Sequence, residues 1–393
     1  MRVRSIALLV LAHAATDLNQ GAIPVLLPYF IAEHHISYAA AATVVFATNI
    51  ASTIAQPIFG HIADRRSRSW LIPVAMLCAG LGVSLAGVVP SFQMGLVVVG
   101  LSGLGVAAFH PEGARLVNYL AGDRKATAMS FFAIGGQLGY AIGPLTATAA
   151  MLLWGLHGSI SLVVPTTLVA VLVMFSLPGV STGRGTARGG QRRDRVEGAR
   201  DVWIPFVVLS AALLCRSVIF YGLNTFLPLF WINVLHQSKA AGGTALTVLM
   251  ASSIGGNLMG GRLADRFGYR IVAISGFTFL MIMLPLLTLA NSATQALLLL
   301  IPIGVGLALP TSPMVVLGQG YLPNRVGLAS GVTLGLAFSF GGIMMPALGW
   351  IADHHGLRTA ISVVAFLPIL CTGLALTLPG LKNTSPAPSG TKS

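Results

Sequence analysis

Long apolar segments separated by short polar loops dominate the pattern of residues along the chain. A helix needs about 20 residues to cross a hydrocarbon core of about 30 Å, and twelve apolar segments reach this length. The predicted spans cover residues 5–31, 38–62, 70–89, 92–119, 126–153 and 159–178, and then 203–231, 241–262, 269–290, 294–318, 326–350 and 357–379. The pattern predicts an all-α integral membrane protein with twelve transmembrane helices in two six-helix bundles.

Polar segments divide the chain into a bundle at 1–178, a linker at 179–202, a second bundle at 203–380 and a tail at 381–393. The linker is rich in Gly and Arg, so we expect a cytoplasmic tether, with contact to lipid headgroups as the alternative. The tail is rich in Ser, Pro and Gly and is expected to be disordered.

The composition excludes a soluble globular protein. Of the 393 residues, 55% are hydrophobic and 8% are charged, whereas soluble domains average about 25% charged residues. The basic residues behind the net charge of +13 lie in short loops between spans, which argues against nucleic acid as a partner. The three cysteines are far apart and show no ligand spacing, so neither disulfides nor a metal site is expected.

The distribution of Lys and Arg predicts the orientation in the membrane. Of 23 basic residues, Lys239 and Arg358 are placed outside, Arg115 and Arg216 fall within spans, and the others lie on one side. We therefore expect both termini in the cytoplasm and a multi-pass protein of the cell membrane, of bacterial inner-membrane type.

The two halves repeat at an offset of 200 to 201 residues. Gly60-His-Ile-Ala-Asp64-Arg65 follows the second span, and Gly261-Arg-Leu-Ala-Asp265-Arg266 follows the eighth. Leu27-Pro28 and Leu227-Pro228 recur in the first and seventh spans. A duplicated, pseudo-symmetric bundle explains these repeats.

Polar residues within the first and seventh spans are the main candidates for a central site. His13, Asp17 and Gln20 share one helical face of the first span, and Arg216 and Asn224 share one face of the seventh. Since Arg216 nearly occupies the repeat position of Asp17, we expect the two to face each other across a cavity. They either form a fixed ion pair between the halves or take part in binding of substrate or protons.

The fourth span carries a second polar group, with His110, Glu112 and Arg115 close together. Glu112 and Arg115 are three residues apart, so they are able to pair on one helix. That pair is either structural or part of a solute pathway, because charges inside a membrane are costly. His110 is either a packed core residue or a proton relay.

Small residues in the fifth span predict close helix packing. Gly135, Gly139 and Gly143 recur at intervals of four, and Pro144 removes a backbone donor. In the loop motifs after the second and eighth spans, Gly allows helices to approach, while Asp caps the next helix or binds Arg. We expect a gating latch there, formed by Gly60, Asp64 and Arg65 in one half and Gly261, Asp265 and Arg266 in the other.

The loop motif G-x-L-A-D-R-x-G resembles the signature of the major facilitator superfamily, closely at Gly261–Gly268 and less closely at the first copy. Phe109-His110-Pro111-Glu112, with Arg115 after it, resembles the fosmidomycin-resistance group of drug exporters. Gly139-x-x-x-Gly143-Pro144 is similar to the family's antiporter motif, although Ala147 and Thr148 stand where two more glycines are common. The resemblance implies the family's twelve-helix fold and a role in drug efflux and antibiotic resistance.

These patterns together favour a proton-coupled antiporter that exports a small drug or metabolite by alternating access. Asp17 or Glu112 is expected to carry the proton, and Arg216 and Arg115 to attract an anionic substrate of the fosmidomycin type. A proton symporter for an organic anion or sugar and a transport-inactive membrane sensor are the alternatives. No ATP-binding, dinucleotide-binding or nucleophile motif is present, so we expect no enzyme activity and no cofactor besides the proton gradient. The expected partners are a small molecule, protons and membrane lipid, with the protein as a monomer.

Overall fold

The computed structural model describes residues 2–65, 69–122, 124–176 and 200–380, apart from the side chains at 63–65, 125–126, 327 and 334–339. The first half contains α1 (Val3–His34), α2 (Tyr38–Arg65), α3 (Leu71–Leu85), α4 (Phe92–Leu120), α5 (Lys125–Trp154) and α6 (Val163–Ser176). The second half contains α7 (Trp203–Asn233), α8 (Lys239–Phe267), α9 (Tyr269–Leu289), α10 (Ala293–Ala308), α11 (Thr311–Tyr321), α12 (Val326–Ser330), α13 (Ala337–Ile343), α14 (Met345–His355) and α15 (Leu357–Thr377). The linker and tail predicted at 179–202 and 381–393 lie largely outside the described residues.

Fifteen α-helices in this part of the chain make up twelve spans because two spans are interrupted. The tenth span consists of α10 and α11, and the eleventh consists of α12, a π-helical turn at Gly331–Leu336, α13 and α14. Before α6, a 3₁₀ segment at Gly155–Leu162 completes the sixth span. By length and hydropathy alone, eight helical stretches of the described residues are able to cross a membrane. The predicted all-α fold with twelve spans is confirmed.

Hydrogen bonds at the helix starts follow the sequence repeat. Serine hydroxyls accept bonds from backbone N–H groups at the starts of the second, fourth, eighth and tenth spans, through Ser37, Ser91, Ser238 and Ser292. This is the usual way to satisfy free N–H groups at a helix start. The serines of equivalent spans are separated by 201 residues, so the local structure is duplicated along with the sequence.

A second repeated feature ties the start of each half to its own bundle. The backbone N–H of Arg2 donates to the carbonyl of Leu120 at 3.1 Å, and that of Val202 donates to the carbonyl of Tyr321 at 2.7 Å. These bonds lie on the face that carries the starts of α1 and α7, which we call the terminal face. The face with the ends of α1 and α7 is called the opposite face.

Within the first half, α1 packs against α5, and α4 packs against α2 and α3. In the second half, α15 packs against α7 and α9, and α8 against α10. The halves meet where α5 contacts α8 and where α2 contacts α13 and α14. Both contacts follow helix pairs that are equivalent in the repeat, so the interface has the same pseudo-symmetry as the sequence.

Several contacts between the halves lie at the opposite face. The carboxylate of Asp353 accepts bonds from the backbone N–H groups of Tyr38 at 2.7 Å and Ala39 at 2.9 Å. Lys239 lies 4.0 Å from the centre of the Tyr29 ring. These contacts join the two halves beyond the membrane centre, so the structure represents a conformation closed at the opposite face.

Candidate functional site

A cluster of two buried residues, His13 and Asp17, and the half-buried His110 lies between α1 and α4. The Nε2 atom of His13 is 3.2 Å from one carboxylate oxygen of Asp17, and the Nε2 atom of His110 is 3.4 Å from the other. Asp17 is 6% exposed and His13 is 7% exposed. Because each oxygen of the carboxylate faces a different imidazole, the cluster is a candidate site for cations.

The outer ring nitrogens of both histidines face backbone carbonyls. Nδ1 of His13 lies 2.6 Å from the carbonyl oxygen of Phe132, and Nδ1 of His110 lies 3.0 Å from that of Val106. A carbonyl oxygen is only an acceptor, so each Nδ1 carries a hydrogen. A neutral imidazole with its hydrogen on Nδ1 then places the lone pair of Nε2 against the negative carboxylate, whereas an imidazolium donates a hydrogen bond from Nε2 to the carboxylate. The geometry therefore favours a proton or another cation at each Nε2 atom.

The three ligand atoms of the cluster lie within 4.8 Å of one another. That spacing allows them to share one bound cation, although no ligand spacing in the sequence predicts a metal here. Protons suit the same geometry without further ligands, because each Nε2 faces an oxygen of Asp17, at 3.2 Å for His13 and 3.4 Å for His110.

Close packing of α5 against α1 positions the cluster. Added Cβ atoms at Gly135, Gly139 and Gly143 would collide with the backbone of Val10, Ala14 and Leu18. The predicted glycine stripe thus lies directly on α1, with Pro144 following it within α5. The ring of His13 stacks on Phe132 of α5, with 4.1 Å between ring centres. These contacts hold His13 in the orientation that faces Asp17.

A cavity lies beyond the cluster, between the halves. Its walls combine amide, hydroxyl and apolar groups, and they come from α1, α2, α5 and α7. The lining residues are Gln20, Ile23, Pro24, Val45, Thr48, Asn49, Tyr140, Tyr221 and Asn224. The predicted Gln20 and Asn224 thus line the same cavity, one from each half.

Arg216 does not pair with Asp17, contrary to the expectation that the two face each other. Its guanidinium donates to the carbonyl of Leu307 at 3.0 Å and to the hydroxyl of Thr311 at 2.7 Å. α10 ends at Ala308, and the last carbonyls of a helix lack partners within the helix. Arg216 satisfies one of them, so this buried cation is held inside its own half.

Glu112 and Arg115 form the intrahelical ion pair that their spacing allows. Arg115 donates to the two carboxylate oxygens of Glu112 at 2.6 and 3.1 Å. Glu112 is 1% exposed, so its charge is buried next to the guanidinium. The pair lies on α4 about half a turn beyond His110, and its charges balance each other.

The family comparison agrees with this architecture. The sequence profile of the Major Facilitator Superfamily matches residues 9–343. The chain belongs to this superfamily. An uncharacterized MFS-type transporter of Bacillus subtilis, YfnC, is 28% identical over 367 residues, which are 92% of this chain and 89% of the relative. The fosmidomycin resistance protein of Escherichia coli is 26% identical over 366 residues, with the same coverage of both chains.

Solved structures share the fold of this transporter at low sequence identity. A bacterial homolog of the human lysosomal transporter Spinster, in an inward-facing and occupied conformation, has a TM-score of 0.83 at 16% identity, covering 95% of this chain and 96% of the other. A D-xylose–proton symporter has a TM-score of 0.77 at 15% identity, covering 97% and 99%. The chain is therefore a multi-pass membrane transporter, and its relatives are transporters rather than enzymes.

The loop motifs of the transporter differ from the expected latch in two respects. Added Cβ atoms at Gly60 and Gly261 would meet nothing within 4 Å, so these glycines do not serve close helix packing. Asp265 accepts a bond from the hydroxyl of Tyr269 at 3.3 Å and does not cap α9. Arg266 lies over the ring of Phe267, and the side chains of Asp64 and Arg65 lie outside the described residues.

Four polar residues of the cavity were not predicted from the sequence. Tyr221 shares hydrogen bonds with Tyr140 and with Asn49, and Thr48 lies beside Asn49 on α2. Thr48-Asn49 is a polar pair in the middle of an apolar span, a signal that marks intramembrane polar function. The tyrosines gave no such signal, because single aromatic residues are common in membrane spans.

Proposed function

We propose that this protein is a proton-coupled antiporter that exports a small organic molecule by alternating access. The observation that carries the proposal is the cluster of His13, Asp17 and His110, whose Nε2 atoms both face the carboxylate while both Nδ1 atoms face carbonyls. In its proton-loaded form the cluster has two imidazolium rings and one carboxylate. In its unloaded form it has one uncompensated negative charge.

Coupling follows from the position of the cluster beside the cavity. Asp17 precedes Gln20 by three residues on α1, and Gln20 lines the cavity. Titratable groups on the neighbouring helices include Tyr140 of α5, Tyr221 and Arg216 of α7 and the Glu112–Arg115 pair of α4. A positively charged substrate in the cavity and protons on the cluster then add to the same local charge, so each disfavours the other.

A proposal of export requires an orientation of the protein in the membrane, and the positions of the basic loops indicate one. We propose that the terminal face is cytoplasmic, following the excess of Lys and Arg in its loops. The cavity, closed at the opposite face, would then receive its substrate from the cytoplasm. Drug efflux is favoured by the similarity to the fosmidomycin resistance protein, which covers nearly the whole of both chains.

The proposal is tested by measuring whether the substrate drives proton movement across the membrane. An efflux-deficient bacterial host expressing the protein is screened against antibiotics with and without an uncoupler. The purified protein is then reconstituted into vesicles with an imposed pH gradient, and a compound from the screen is added while a dye reports internal pH. Antiport predicts proton movement opposite to the substrate, and movement in the same direction would favour symport of an anion or sugar.

Matched variants connect the activity to the cluster. Asp17→Asn and His110→Gln are expected to lower substrate-dependent proton flux at least tenfold, because charge-assisted hydrogen bonds contribute about 1.5–3 kcal/mol. Asp201→Asn and His157→Gln change the same residue types at exposed or terminal-face positions and should leave the flux unchanged. Wild-type flux in both cluster variants would refute the assignment, and absence of flux in every sample would refute transport itself.

A further inference from the structure

The walls of the cavity carry no positive charge among the described residues. Its polar lining consists of neutral groups, namely the amides of Gln20, Asn49 and Asn224 and the hydroxyls of Thr48, Tyr140 and Tyr221. The sequence predicts an anionic substrate that Arg216 and Arg115 attract. Both have other partners in the structure, one on Leu307 and Thr311 and the other on Glu112.

Arg216 is held by two neutral oxygens rather than by a carboxylate. Releasing it toward the cavity would leave the Leu307 carbonyl and the Thr311 hydroxyl without their donor at the junction between α10 and α11. Unpartnered buried polar groups are costly. The guanidinium is therefore part of the second half's structure, and it is not a free ligand for an anion.

The charge of the His13–Asp17–His110 cluster also disfavours an anionic substrate. In the antiport proposed above, the substrate occupies the cavity when the cluster has lost its protons and Asp17 is uncompensated. A negative charge one helical turn from Gln20 repels an anion in the cavity. It attracts a cation and leaves a neutral molecule unaffected.

We propose that the cavity takes small cationic or neutral organic molecules with hydrogen-bonding groups and excludes anions. The inference rests on the proposed antiport, because symport would load protons and substrate together and would favour an anion. Amide and hydroxyl groups from both halves provide donors and acceptors to a polar substrate, and Tyr140 and Tyr221 add aromatic rings of the kind that attract cations.

A series of three probes with one skeleton tests the charge preference. The skeleton is the N-formyl-N-hydroxyaminopropyl chain of fosmidomycin, ending in the anionic phosphonate, its neutral diethyl ester or a trimethylammonium group. Binding to the purified full-length protein is measured by calorimetry at fixed pH. The ammonium and ester probes are expected to bind at least tenfold more tightly than the phosphonate. Equal or tighter binding of the phosphonate, or no binding of any probe, would overturn the inference.

A charge introduced into the wall supplies an independent test. Asn224→Lys is expected to raise affinity for the phosphonate at least fivefold and to weaken binding of the ammonium probe. Asn291→Lys adds the same charge at an exposed loop position and should change neither. Loss of binding of all probes in Asn224→Lys, with unchanged thermal stability, would still support the cavity as the site, whereas wild-type affinities for all three would contradict it.

Proton release recorded during the same titrations separates the two proposals. Tight phosphonate binding with release of protons would refute the charge inference and leave antiport intact. Tight phosphonate binding with uptake of protons would refute both, and would favour symport of an anion.

Discussion

Gly136→Ala tests whether the spacing between His13 and Asp17 is needed for proton-coupled transport. An added Cβ at Gly136 would lie 2.6 Å from Nε2 of His13 and 2.7 Å from Oδ2 of Asp17, whereas ordinary contacts begin at 3.4 Å. The backbone of α5 has little room to retreat, because Gly135 and Gly139 already touch α1. The methyl group should therefore push the two side chains apart.

The magnitude follows from the bond that is lost. His13 and Asp17 are 3.2 Å apart, and a displacement of about 0.8 Å places them beyond hydrogen-bonding distance. Loss of a charge-assisted hydrogen bond costs about 1.5–3 kcal/mol, which is a factor of about ten or more at about 1.4 kcal/mol per tenfold. We therefore expect substrate-dependent proton flux to fall at least tenfold in Gly136→Ala.

The assay is substrate-dependent proton flux in vesicles as a function of pH. Gly100→Ala is the matched control, because an added Cβ there would meet nothing within 4 Å. The control should keep the wild-type profile, and thermal unfolding of both variants checks that each is folded. Wild-type flux in folded Gly136→Ala would show that the contact between His13 and Asp17 is not needed for proton coupling.

Three further predictions address the gate, the buried arginine and the glycine stripe. Asp353→Asn weakens the carboxylate cap that joins the halves. Labelling of a cysteine in the cavity by a thiol reagent added from the opposite face should therefore increase about tenfold, in line with about 0.5–2 kcal/mol for a helix cap. Arg216→Ala should lower the melting temperature by several degrees in the absence of substrate, because it leaves the Thr311 junction unsatisfied; unchanged stability with lost anion transport would instead assign Arg216 to the substrate. Gly139→Leu should prevent stable expression, since even a Cβ collides with the backbone of Ala14, and normal yield and melting temperature would argue against the packing described for α1 and α5.

The sequence was sufficient to predict the fold because membrane spans are defined by apolar length and loop composition. Even interrupted spans, such as the one containing α12 to α14, were recognised as single crossings, since the break inside the apolar segment does not change its total length. The breaks themselves were not predicted. The π-helical turn at Gly331–Leu336 and the junction between α10 and α11 depend on packing against neighbouring helices.

Prediction of the site succeeded within helices and failed between them. His13 and Asp17 were placed on one face by their spacing of four, and Glu112 and Arg115 were recognised as able to pair by their spacing of three. The meeting of His110 with Asp17 required the packing of α4 near α1, which no local pattern encodes. Arg216 was misplaced because its carbonyl partner at Leu307 becomes available only where α10 ends.

The two backbone bonds from Arg2 to Leu120 and from Val202 to Tyr321 provide built-in reference points for spectroscopy. Each fixes the first residues of one half to the end of that half's fourth span, so a probe attached there follows its bundle as a rigid unit. The distance between probes at these two positions would report rotation of one half against the other, without contributions from loop motion.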